Sequence, residues 1–196
     1  MSQDRSPLSN AELIGGPEER AIVLVPSDRQ WPATFEEHRA RIVGALSSLA
    51  KRVEHVGSTS VPGLAAKPIV DIQVSIVNPE DESAYVPALE DAGYVLRVRE
   101  PGHRMLRTTA LDVHVHVCAV GSDWERRHLL FRDWLRRSDS DRALYAGVKA
   151  KLGTQAWPTM NHYADAKSPI IAEIMKRAEA WAATGDWSKP ESNDGS

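Results

Sequence analysis

The stretch His55-Val56-Gly57-Ser58-Thr59-Ser60-Val61-Pro62-Gly63-Leu64-Ala65-Ala66-Lys67-Pro68-Ile69-Val70-Asp71-Ile72 decides how this chain folds. A β-rich run over 52–56 ends in Gly-Ser, a polar loop follows, and a second β-rich run over 68–77 carries an aspartate just after its apolar start. A strand–loop–strand unit of this composition suits phosphate chemistry. Gly57 lets backbone approach a phosphate closely, and the hydroxyls of Ser58, Thr59 and Ser60 can donate to its oxygens. Asp71, on the neighbouring strand, can hold a divalent cation that bridges those oxygens. A Gly-Ser-Thr-Ser turn alone is an ordinary turn composition. The aspartate on the following strand gives it chemical meaning.

Outward from this unit, residues 21–25 read as a short strand stopped by Pro26. Pro32 opens a helix to about Leu49, with Phe35, Ile42, Val43, Leu46 and Leu49 on one face at helical spacing. Pro79 and the acidic run Glu80-Asp81-Glu82 open another, ended by Gly93, because carboxylates suit the positive end of a helix dipole. Three further strands are expected over 94–99, 104–108 and 112–120. In the last, Val113, Val115 and Val117 alternate with Asp112, His114 and His116, the period of a half-buried strand. From Ser122 to about Ala183 the sequence reads as helical, with interruptions near Trp157-Pro158 and Ser168-Pro169. The expected fold is therefore α/β (α+β): a mixed sheet flanked by helices with a helical C-terminal part, in one domain over 21–182. Residues 1–20 and 183–196, polar and without apolar periodicity, read as disordered tails.

Composition narrows the function. The 196 residues are 42% hydrophobic and 26% charged, ordinary for a globular domain with a real core. A net charge of −3 argues against general nucleic-acid binding while permitting a local basic pocket. The single cysteine, Cys118, excludes an intramolecular disulfide and a multi-cysteine zinc site; its apolar setting reads as a buried small hydrophobe. No apolar run approaches the ~20 residues that span a bilayer, and the N-terminus lacks a signal peptide's basic start and apolar core. The expected location is the cytoplasm, with no membrane partner. No Gly-x-x-x-x-Gly-Lys loop, His-Glu-x-x-His, Gly-x-Ser-x-Gly or dinucleotide fingerprint occurs.

The loop and its strand, in order with several flanking features, resemble the signature of the GrpB family. These are Trp31-Pro32 with Phe35; His114-Val115-His116-Val117; Trp124-Glu125-Arg126 with His128-Leu129-Leu130-Phe131-Arg132-Asp133; and Tyr163-Ala164-Asp165-Ala166-Lys167. The resemblance spans about residues 21–180. It implies a nucleotidyltransferase-like fold, and some members are fused to dephospho-CoA kinase. The superfamily pattern is a Gly-Ser turn, a strand with carboxylates at i and i+2, and a third carboxylate on a nearby strand. Gly57, Ser58 and Asp71 match the first places, and the third falls within Asp112-Val113-His114-Val115-His116. At i+2 this chain has Gln73, which offers a carbonyl oxygen without charge.

Asp112, His114 and His116 share one strand face. With Asp71 they can form a carboxylate–histidine metal site suited to Mn²⁺ or Zn²⁺ rather than Mg²⁺; the other reading is two hydrogen-bonded histidines lining a pocket. Lys67, Arg104 and Lys167 are candidate phosphate contacts, each with the alternative of a solvated charge. His55 is either a structural histidine or a ligand contact. Arg126-Arg127 and Arg136-Arg137, interleaved with acids, read as a salt-bridged helix face, and the six tryptophans as packing residues. The expected activity is metal-dependent nucleotidyl or phosphoryl transfer from a nucleoside triphosphate to a small acceptor, with Asp71, His114 and His116 at the reacting centre. The alternative is a non-catalytic nucleotide- or phosphate-binding module.

Overall fold

A computed structural model of the chain describes residues 11–16 and 21–190. Its strands are β1 (Glu12–Leu13), β2 (Arg52–Val56), β3 (Val70–Ile76), β4 (Tyr94–Glu100), β5 (His103–Thr108) and β6 (Val113–Ala119). They form one six-stranded mixed sheet in the order β1-β4-β5-β6-β3-β2. β2 and β3 are antiparallel neighbours across the Gly57 loop, with Val56 opposite Asp71. β3 and β6 run parallel, which sets Asp71 beside His114 and Gln73 beside His116.

Period-two alternation then sorts side chains between two faces. Ile72, Val74 and Ile76 of β3, with Val113, Val115 and Val117 of β6, enter one core. Phe35, Ile42 and Leu46 of α1 (Trp31–Leu46) and Leu89 of α2 (Val86–Asp91) complete it. The opposite face carries Asp71, Gln73, His114 and His116, and lies under α3 (Asp123–Arg137). Beyond α3 come α4 (Asp139–Gly153), α5 (Met160–Ala166) and α6 (Ser168–Ala183). Leu135, Tyr145, Ile170 and Ile174 pack there with Val61 and Leu64 of the polar loop, so the loop is anchored to the helical layer.

The structure departs from the sequence expectations in local ways. Residues 21–25 contribute only an isolated bridge, Val25 with Ala66. The helix expected from Pro79 is reduced to a 3₁₀ turn over Glu82–Ala84 and the short α2. Pro87 in the first turn of α2 starts a new helix instead of extending the old one. The long C-terminal helical stretch breaks at Ser138, whose hydroxyl accepts the Asp141 N–H at 3.3 Å and caps α4. Within the expected tails, Glu12 and Leu13 pair with Arg99 and Val98 at the sheet edge. At the other end, the Trp187 indole donates to Asp133 at 3.0 Å, and the Pro190 carbonyl accepts from Arg52 Nε at 3.0 Å. The remainder of those tails, 1–10, 17–20 and 191–196, lies outside the described residues. Among the described residues no helix is long and apolar enough to cross a membrane.

Candidate functional site

A cavity of about 450 Å³ opens between the polar face of the sheet and the helical layer. Asp71, His114 and His116 line it together with Gly57 and Ser58 of the loop and with Lys67, Lys149, Tyr163 and Lys167. The loop reaches this position because Gly57 adopts φ +68° and presses its Cα against Asp71. A Cβ there would overlap the carboxylate, so only glycine serves both needs.

Asp71 Oδ1 lies 3.4 Å from His114 Nδ1 and 3.5 Å from His116 Nε2. One ligand atom from each residue falls within 4.8 Å of the others, a spacing that a single cation can bridge. Burial alone would raise the Asp71 pKa; the imidazoles of His114 and His116 beside it outweigh burial and hold the carboxyl well below its ordinary range. The opposite side of His116 is also occupied. Its Nδ1 is 3.0 Å from His103 Nε2, and His103 Nδ1 in turn meets Glu100 Oε1. Trp124 stacks on His103 with ring centroids 4.5 Å apart.

The basic side is built around Lys149, which is only 3% exposed. Its ammonium donates to Ser58 Oγ at 2.9 Å and to the Ala65 carbonyl at 2.6 Å, and so holds both ends of the loop. Burial, then the charges of Lys167 and Lys67, lower its pKa to about 7. Burial and Lys67 likewise lower Lys167 to about 8. Lys67 and Lys167 lie over the Tyr163 ring, 5.6 and 4.9 Å from its centroid. Three amines, two with depressed pKa values, thus share one cavity with the Asp71 carboxylate.

Most of the candidate residues meet here: Gly57, Ser58, Thr59, Lys67, Asp71, His114, His116 and Lys167 all line the cavity. Others do not. Asp112 is exposed in the turn before β6, where it accepts the Thr108 hydroxyl at 2.6 Å. Arg104 pairs with Val117 across the ladder and is buried between Glu80 and Glu82, a structural ion pair on the sheet face away from His114 and His116. Ser60 turns its hydroxyl back to the Gly57 carbonyl at 2.6 Å, a turn contact. His55 stacks on Phe35 at 5.0 Å and bonds Thr59 Oγ1 at 3.0 Å; burial drops its pKa to about 4, so it is a neutral structural residue. Gln73 is fully buried, and neither amide atom has a protein partner among the described residues. Burial pushes the Cys118 thiol up to about 12, consistent with an inert core residue.

Sequence reasoning missed Lys149, His103, Glu100 and Trp124. Lys149 carried a signal: it continues the Asp141, Tyr145 stripe at intervals of four, so a lysine was placed on the buried face of α4. Glu100-Pro101-Gly102-His103 is a two-residue hairpin turn, with Gly102 at φ +76°, that sets Glu100 directly opposite His103. The salt-bridged reading of α3 holds in part: Arg136 reaches Asp133 at 3.6 Å and Arg126 forks onto Glu179 of α6 at 2.6 and 2.7 Å, whereas Arg127 lines the cavity and Arg137 lies over the Trp181 ring.

Comparison with known proteins agrees with this architecture. The GrpB protein family matches residues 21–177. A UPF0157 protein of Streptomyces coelicolor is 52% identical over 90% of this chain and 94% of its own length. A second, from Halalkalibacterium halodurans, is 49% identical over 84% of this chain and 86% of its own. A dephospho-CoA kinase of Mycolicibacterium paratuberculosis is 30% identical over 92% of this chain but only 50% of its own length. The crystal structure of conserved protein GrpB from Enterococcus faecalis superposes with a TM-score of 0.70 at 30% identity, covering 81% of this chain and 99% of that one. With the fold, the Gly57 loop and the sequence match in agreement, this chain belongs to the GrpB protein family.

Proposed function

We propose that the cavity binds a phosphorylated small molecule, a nucleoside triphosphate foremost, with one divalent cation at Asp71, His114 and His116, and transfers a phosphoryl or nucleotidyl group to a small acceptor. The observation that carries this reading is the presence, in the lining of a single cavity, of a carboxylate–imidazole cluster and three lysines beside a Gly-Ser loop. The donor set, one carboxylate oxygen and two imidazole nitrogens, fits Zn²⁺ or Mn²⁺ better than Mg²⁺, which prefers oxygen. When bound, such a cation neutralises phosphate oxygens and polarises the bond to be broken. Ser58 Oγ and the Gly57 backbone orient the phosphate, while Lys67, Lys149 and Lys167 offset its charge. Relatives named dephospho-CoA kinase carry a stretch similar to this chain over about half their length, which agrees with a role beside phosphoryl transfer. Gln73 favours the second reading, a binding module without turnover, because a buried neutral amide stands where a second carboxylate would hold a second cation.

Thermal shift and calorimetry with each nucleoside triphosphate, alone and with Zn²⁺, Mn²⁺ or Mg²⁺, test binding, and phosphate or pyrophosphate release tests transfer. A ligand at 100 times its Kd adds about 2.7 kcal/mol of stability. Asp71→Asn keeps the fold and loses the metal-dependent part of the shift. Binding without release across a broad set of acceptors selects the binding module. No nucleotide binding under any metal condition overturns both.

A further inference from the structure

Two groups behind the proposed cation site, Glu100 and His103, form a continuous line that ends at His116. We infer that Glu100 and His103 are positioning residues: they fix His116 in the tautomer that carries hydrogen on Nδ1 and turns the bare Nε2 toward Asp71. The inference rests on the cation site proposed above for its purpose, but not for its geometry.

The hydrogen placement follows from donor and acceptor inventory. A carboxylate only accepts, so the contact between Glu100 Oε1 and His103 Nδ1 requires the hydrogen on His103 Nδ1. In the neutral ring His103 Nε2 is then an acceptor, and the 3.0 Å contact with His116 Nδ1 requires the hydrogen on His116 Nδ1. That leaves a lone pair on His116 Nε2, 3.5 Å from Asp71 Oδ1, which is also acceptor-only. With both rings neutral, His116 Nε2 and Asp71 Oδ1 face each other as two acceptors, a contact that either a cation between them or one further proton on the His103–His116 pair completes. Ligating histidines generally donate their second ring N–H to such an outer partner, which fixes the ring and raises its basicity.

The elements leave little freedom in this line. Pro101-Gly102 makes the β4–β5 turn, so Glu100 and His103 are cross-strand neighbours. Gly102 N–H donates to Glu80 Oε1 at 2.7 Å, which ties the turn down. Trp124, from the first turn of α3, covers the faces of both imidazoles, with centroids 4.5 Å from His103 and 5.5 Å from His116. The edges of His103 are thus set by Glu100 and His116, and its plane by Trp124.

The test is imidazole ¹⁵N NMR on the full chain with labelled histidine, beside Zn²⁺ calorimetry, for wild type, Glu100→Ala and His103→Phe. In zinc-free wild type the expected spectrum shows His116 protonated on Nδ1 and bare on Nε2, and Zn²⁺ then moves the Nε2 resonance. Glu100→Ala mixes the His116 tautomers and weakens Zn²⁺ about 10–100-fold, the usual effect of losing an outer-shell partner. His103→Phe keeps the aromatic stack on Trp124 and does the same. Hydrogen found on His116 Nε2 in zinc-free wild type overturns the inference. So does unchanged tautomer and Zn²⁺ affinity in both variants, even with a lowered melting temperature, since that is the mark of a merely structural role. If the tautomer is as stated but wild type binds no Zn²⁺, the relay stands and the proposed cation site fails.

Discussion

Gly57 and Asp71 are in van der Waals contact, the glycine Cα lying where any side chain would run into the carboxylate. The two residues come from different sides of the loop, yet each fixes the other: the left-handed glycine lets the chain pass, and the aspartate marks how close it passes. A Cβ on Gly57 would also stand 3.0 Å from Asp71 Cβ and 3.1 Å from Cγ, so the clash reaches the stem of the side chain, not only its tip.

Gly57→Ala therefore combines a left-handed backbone penalty of ~1–2 kcal/mol with displacement of Asp71. Urea denaturation is expected to show a total loss above about 2 kcal/mol. Zn²⁺ calorimetry on the folded variant is expected to show weakened binding. A variant as stable as wild type would mean that the loop does not pass where it is described.

Lys149 supplies a pH signature. Its folded pKa of about 7 lies below the ordinary 10.5, so between those values the unfolded chain holds a proton that the folded chain lacks. Stability then rises with pH through that window, and the contribution is flat below it. Lys149→Met keeps the packing of the stem and removes the effect. The stability of wild type relative to this variant is expected to increase between pH 7 and 10, by at most about 1.4 kcal/mol per pH unit. Parallel urea-stability profiles for the two proteins from pH 6.5 to 9.5 would show that Lys149 is charged in the fold.

Glu125 is fully buried and pairs with Arg52, accepts Gly121 N–H at 2.8 Å and meets Lys189 Nζ at 3.3 Å. Glu125→Gln strands the buried guanidinium and is expected to cost about 3–5 kcal/mol. The double variant Arg52→Met, Glu125→Leu is expected to recover most of that. Because Arg52 Nε also holds the Pro190 carbonyl, the double variant, which removes that donor, is expected to be nicked sooner near 184–190 in limited proteolysis.

The segment from His55 to Ile72 was legible because its information is local. A strand, a turn glycine and an aspartate in the next strand follow one another in the chain, and the alternation of Val113, Val115 and Val117 fixes which way His114 and His116 face. Arg104 and Asp112 were misplaced for a physical reason. Arg104 belongs to a strand whose polar residues appear on both faces, so alternation gave no direction. Asp112 stands one residue before β6, where the ladder no longer dictates orientation. Lys149 lies 91 positions from Ser58, and only the packing of α4 on the loop brings them together. The Ser138 break was readable in principle from Ser-x-x-Asp, a helix-start pattern buried in a run of good helix formers.

The site draws its two kinds of charge from two separate layers. Asp71, His114 and His116 are fixed in register on paired strands, while Lys149 and Lys167 arrive with the helices laid over them. A fluctuation that lifts the helical layer would leave the carboxylate–imidazole cluster assembled and carry Lys149 and Lys167 away from it. On the proposed reading, affinity for cations would follow the integrity of the sheet, and affinity for anions the seating of the helices upon it.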